Sequence, residues 1–90
     1  MADRPQVVHP LADALGIVIR RERLARELTI STLADRANLS YGYLGGIERG
    51  VREPSISVVA RIADALRQRT SELIAKAEAE RWRSRRLRRA

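Results

Sequence analysis

The sequence predicts an all-α fold of five helices, and three features carry that expectation. Apolar residues recur at spacings near 3.6 through most of the chain. Residues able to cap a helix (Thr29, Ser40, Ser55 and Thr70 or Ser71) stand just ahead of the periodic runs. The apolar set is mostly Ala, Leu, Ile and Val, with no Phe, one Trp and two Tyr, so closely packed helices suit it better than a β-sandwich. Ninety residues give one small domain with a single modest core.

Composition removes several classes of function. With no cysteine, disulfide frameworks, thiolate zinc sites and cysteine nucleophiles are excluded. His9 has no second histidine or cysteine with which to share a metal. The carboxylates are dispersed among arginines and read as solvated faces or ion pairs, so neither an enzyme nor a cofactor or metal site is expected. The longest apolar run falls far short of the roughly 18 residues a membrane span needs, no signal-peptide pattern opens the sequence, and a cytoplasmic protein is expected. The net charge of +7 is unevenly placed. Six arginines (Arg81, Arg83, Arg85, Arg86, Arg88 and Arg89) and no acid fall in residues 81–90, while the rest of the chain nets +1. Such a block points to nucleic acid or an anionic surface; a solvated tail is the plainer alternative.

Residues 1–9 hold Pro5 and lack periodicity, and Pro10 suits the first turn of a helix. The first helix is expected from about Pro10 to Leu28, with Leu11, Leu15, Ile19, Leu24 and Leu28 as its buried stripe and Arg23 close to that stripe. A second follows the cap Thr29, with Leu33, Ala34 and Ala37 inward. Asn38-Leu39-Ser40 form the turn, Asn38 being a tolerable left-handed residue. The third runs from the cap Ser40 to Gly50. Leu44 and Ile47 point inward with Tyr43 beside them, and Tyr41, Gly42, Gly45 and Gly46 are expected on the outer face. Three glycines inside one exposed helix cost about 1 kcal/mol each relative to alanine. Either packing tolerates that cost, or the bare backbone serves close approach to something. Ser55 caps a fourth helix to about Arg67, with one stripe of Ile56, Val59, Ala63 and Leu66 and a second of Val58, Ile62 and Ala65. A face that wide either meets another subunit or belongs to a larger internal core. The fifth helix contains Leu73, Ile74 and Ala77 and can continue through Trp82, with Glu72, Lys76, Glu78 and Glu80 toward water.

The stretch Thr29–Gly50 resembles the Cro/C1-type (XRE) helix-turn-helix family. The residues that carry the likeness are Leu33-Ala34, Ser40, Leu44, Ile47-Glu48-Arg49-Gly50 and Pro54-Ser55, with Ile19-Arg20 and Arg23 upstream. The string YLGGIERG is also similar to the controller proteins of restriction–modification operons. The resemblance extends from about Leu15 to Leu73 and implies a lambda-repressor-like domain, expected over residues 10–80; the residues themselves give a flexible arm over 1–9 and an arginine-rich tail over 81–90. The resemblance also implies a third helix that enters the major groove of double-stranded DNA while the second crosses the phosphate backbone. The DNA-binding set it implies is Thr29, Ser40, Tyr41, Gly42, Tyr43, Gly45, Gly46, Arg49 and Arg52. Tyr41 and the three glycines would face the bases, Ser40, Tyr43 and Arg49 the phosphates, and Arg52 a phosphate or a base. Arg23 and Glu48 match the family's internal ion pair and are structural.

This chain departs from the family's pattern in places. Ile30 stands where the family often has Gln, Asn38 replaces the turn glycine, and glycines leave few side chains to read a sequence. Specificity is therefore expected to lean on Tyr41, Arg52, DNA shape and half-site spacing. A homodimer joined through the fourth and fifth helices is expected, acting as a transcriptional regulator. A helix-turn-helix protein-interaction module or antitoxin-type component is the alternative. Deleting residues 81–90 is predicted to flatten the dependence of log K on log salt, by about 0.9 for each phosphate the tail neutralises, with sequence preference kept. Binding titrations across salt check this; an unchanged slope means that the tail faces solvent.

Overall fold

The computed structural model describes residues 10–89, with side chains described to residue 83. It comprises α1 (Pro10–Ala25), α2 (Ile30–Ala37), α3 (Tyr41–Glu48), α4 (Ile56–Ala65) and α5 (Thr70–Arg89), with no strand among the described residues. The expected arm, residues 1–9, lies outside them. Three helices begin where a hydroxyl can take up an otherwise unsatisfied backbone N–H. Thr29 Oγ1 accepts from the Thr32 N–H at 3.0 Å, Ser40 Oγ from Tyr43 at 3.1 Å and Ser55 Oγ from Val58 at 3.2 Å. The fifth start differs: the Glu72 carboxylate reaches back to accept from the Arg69 N–H at 2.7 Å.

Two helices stop earlier than their periodicity suggests. α1 ends at Ala25 and α4 at Ala65, because Glu27 (φ 57°) and Arg67 (φ 59°) take left-handed backbone and turn the chain. Asn38 does the same after α2 at φ 59°, at lower cost for a short polar side chain.

The core is one cluster in which Val18, Ile19, Leu33, Leu44, Ile47, Ile62, Leu66 and Leu73 are fully buried. α1 packs against α3 and α5, while α2 packs against α3 and α4. Val58, Val59, Ile62, Ala63 and Leu66 are all buried within the chain, so the wide apolar face of α4 belongs chiefly to this core. Across the α1–α5 contact, Glu22 Oε1 accepts from Arg26 at 3.0 Å, Gln68 at 3.0 Å and Lys76 at 3.2 Å. Burial pushes the Glu22 carboxyl up, but hydrogen bonds from Gln68, Lys76 and Arg26 outweigh it and hold the group below its ordinary value.

Three expectations are corrected. Leu24 is 52% exposed, because five residues from Ile19 is roughly 140° around a helix and Arg23 takes the inward position. Ile56, at the first position of α4 with no preceding turn to cover it, is 72% exposed. Glu80 is buried, since Leu73, Ala77 and Glu80 share one stripe facing α1; its Oε1 accepts from Arg21 at 3.0 Å and Arg83 at 3.2 Å. α5 itself continues through Trp82 into the arginine block.

Gly16 sets how closely α1 and α3 approach. A Cβ there would run into the backbone carbonyl oxygen of Ile47 and lie 3.0 Å from that of Glu48. At Gly42 a Cβ would meet nothing within 4 Å. Gly16→Ala is accordingly predicted to destabilise by about 1–3 kcal/mol through overpacking. Gly42→Ala should stabilise by up to ~1 kcal/mol through helix propensity. Urea unfolding of both variants reads the two signs; loss of stability in both would mean that Gly42 is not open.

Candidate nucleic-acid interface

Two short helices and a tight turn build the candidate surface. The Asn38 N–H donates to the Asp35 carbonyl at 3.2 Å and the Leu39 N–H to the Ala34 carbonyl at 2.8 Å, which closes α2 and swings the chain into α3. Leu39 is half-buried against the core, while Leu44 and Ile47 anchor α3 beneath it.

The far end of α3 is fixed by an ion pair. Arg23 donates from Nε to Glu48 Oε2 at 2.8 Å and from Nη2 to Glu48 Oε1 at 2.9 Å, and its Nη1 donates to the Leu28 carbonyl at 2.8 Å. The side chains are 9% and 4% exposed, so both charges are largely out of water. Hydrogen bonding to Glu48 raises the Arg23 guanidinium above its ordinary value against the opposing effect of burial. Just beyond, Gly50 has φ 77° and a Cβ there would run into the Asp13 carboxylate, so glycine is required there.

The predicted surface residues fall into distinct environments. Tyr41 is 60% exposed and Gly42 is open, both in the first turn of α3. Tyr43 is half-buried against the core. Gly45 and Gly46 were expected on the bare outer face; both are buried, and this corrects that expectation. A Cβ on Gly45 would sit 3.2 Å from Arg49 Nη1, and one on Gly46 would sit 2.6 Å from Arg52 Cγ. Arg49 and Arg52 thus lie over the two glycines, and the Arg52 Cζ stands 5.8 Å from the centre of the Tyr43 ring. Ser40 spends its acceptor on the α3 cap. The Thr29 hydroxyl is engaged within the first turn of α2, donating to Thr32 Oγ1 at 3.0 Å. Sequence reasoning missed Gly16, which sets the approach of α3 to α1, and Asp13, whose carboxylate fills the space beside Gly50; a glycine between Leu15 and Ile17 in a helical run was the available signal for the first.

A capped helix with one exposed tyrosine, an open first turn and two arginines over its second half, crossed behind by a second helix, has the form of a helix-turn-helix nucleic-acid-binding domain. The chain belongs to the helix-turn-helix family of the Cro/C1 type, matching it over residues 19–73. It is 42% identical over 52 residues to an uncharacterized HTH-type transcriptional regulator of Mycobacterium tuberculosis, a match covering 58% of this chain but only 37% of that protein. The transcriptional regulator ClgR of the same organism is 36% identical over 78 residues, which cover 87% of this chain and 70% of ClgR. The crystal structure of the clp gene regulator ClgR from Corynebacterium glutamicum is similar with a TM-score of 0.83, at 28% identity over 87% of this chain and 83% of that one. The restriction-modification controller protein C.Esp1396I, solved as a tetramer with its natural 35 base-pair operator, has a TM-score of 0.73 at 28% identity, covering 80% of this chain and 95% of that one.

The ion pair yields a direct prediction. Arg23→Ala or Glu48→Ala leaves the other charge buried without its partner and should cost about 3–5 kcal/mol. An Arg23→Met, Glu48→Leu double variant should lose markedly less, because neither charge remains. Urea midpoints of the three variants check this; a double variant as unstable as the singles would show that shape, not charge, governs the site.

Proposed function

We propose that this protein is a sequence-specific DNA-binding transcriptional regulator of the cytoplasm, without a catalytic step. It acts as a homodimer on an operator of two half-sites, with α3 in the major groove. The observation that carries this reading is the exposed first turn of α3, where Tyr41 and the open Gly42 stand on a helix whose other face is locked by Leu44, Ile47 and the Arg23–Glu48 pair. Family membership supports it, as does the operator complex of C.Esp1396I.

Each copy presents one recognition helix, so two copies would read half-sites about one helical turn apart. The proposed dimer surface on α4 and α5 rests on what those helices leave outside: Ile56, Trp82 and the apolar groove bordered by Leu11, Pro54 and Ile74. Tyr41 supplies a hydroxyl and a ring face, Arg49 a phosphate contact, and Arg52 a phosphate or base contact.

Footprinting on promoter fragments, with gel shifts at low salt and at about 0.3 M salt, tests the reading. Two protected half-sites are expected, with affinity falling as salt rises. The Tyr41→Ala, Arg52→Ala double variant should lose sequence preference. Full preference in that variant, or no protected site, would overturn the proposal.

A further inference from the structure

We propose that Gly46 and Tyr43 are positioning residues whose work is to fold Arg52 back along α3, so that an arginine from the following loop supplies the cationic reading group that the helix itself lacks. Three contacts meet on Gly46. Its carbonyl accepts from the Val51 N–H at 3.0 Å and the Arg52 N–H at 3.2 Å, which pins the loop to the last turn of the helix. Where a Cβ would stand, the Arg52 stem already lies: Cγ at 2.6 Å and Cβ at 3.4 Å. From there the side chain runs toward Tyr43, one turn nearer the start of α3, and places Cζ 5.8 Å from the ring centre, within cation–π range.

The glycine therefore serves a neighbour rather than the helix. Cγ is only two bonds from the Arg52 α-carbon, so a methyl group on residue 46 cannot be accommodated by moving the guanidinium alone. Either χ1 rotates or the pinned loop shifts, and both carry the guanidinium off the helix. Gly45 differs, because the atom over it is the far end of Arg49, which swings away at little cost. The direction of the fold-back matters for DNA. Nothing stands within 4 Å of the Gly42 Cβ position, and Arg52 returns toward that end of α3. The consequence for recognition rests on the DNA-binding reading above; the seating of Arg52 does not.

Two measurements on the full chain separate these levels. In the free protein, NMR shifts of the Arg52 side-chain protons should show the upfield ring-current effect of Tyr43. Gly46→Ala and Tyr43→Leu should abolish it, while Gly45→Ala should keep it. Unfolding curves confirm that each variant is folded, and the Tyr43→Leu arm stands if alanine at residue 46 disrupts the fold. With a duplex selected from a random pool, Gly46→Ala should bind about 5- to 150-fold more weakly, as expected for loss of one base contact. Arg52→Ala should lose as much, and the Gly46→Ala, Arg52→Ala double variant should bind no worse than Arg52→Ala alone. Unchanged Arg52 shifts in Gly46→Ala, or a loss that is fully additive with Arg52→Ala, would overturn the proposal. Failure of the wild-type chain to select any duplex would defeat the DNA reading, and the NMR arm would still decide the seat.

Discussion

Arg23 donates to both oxygens of Glu48 and to the carbonyl of Leu28, and one side chain thereby joins α1, the turn after it and the last turn of α3. The rest of the surface depends on this constraint. α3 spans only Tyr41–Glu48, too short to hold its orientation through propensity. Ser40 fixes where it begins, and Leu44 and Ile47 fix how deep it lies. The ion pair fixes where it ends. A bidentate pair has one good geometry, so it sets direction as well as distance. Gly16 adds a hard limit from the other side, since the carbonyls of Ile47 and Glu48 already occupy the space above it.

The two long helices close their apolar stripes in the same manner. In α1 the series Leu15, Ile19, Arg23 runs at intervals of four, and in α5 Leu73, Ala77, Glu80 runs at four and three. Each ends in a buried charge with an oppositely charged partner on another helix, Glu48 for Arg23 and Arg21 for Glu80. A charge at such a position needs a partner on a neighbouring element, because leaving it unpaired in the interior would cost several kcal/mol. The pairs therefore stabilise the arrangement partly by penalising alternatives to it.

Much of the fold was legible because caps and periodicity are local signals. Thr29, Ser40 and Ser55 open their helices where the sequence placed them, and the family pattern identified Arg23 and Glu48 as partners. What was misread depended on neighbours distant in the chain or on strict helical phase. Leu24 looked apolar enough to be inside, but Arg23 held the inward phase. Glu80 looked wet until α1 supplied Arg21. Gly45 and Gly46 looked bare because sequence gives no indication that Arg49 and Arg52 double back over them. The exposure of Tyr41 and Gly42 on α3 was readable; the seating of Arg49 and Arg52 over Gly45 and Gly46 was not.

Gly42 has a consequence for how such a protein can evolve. Around it there is no side chain to displace and no carbonyl to clash with, and its backbone is ordinary helix. A Cβ at that position displaces nothing, whereas most changes at a packed site destabilise. Single-base changes in glycine codons reach arginine and, depending on the third base, either serine and aspartate or glutamate, residues with different hydrogen-bonding character at base edges. If α3 reads DNA as proposed, recognition and stability are uncoupled at this point of the chain. Descendants could diverge in what they recognise through one mutational step while inheriting the scaffold intact.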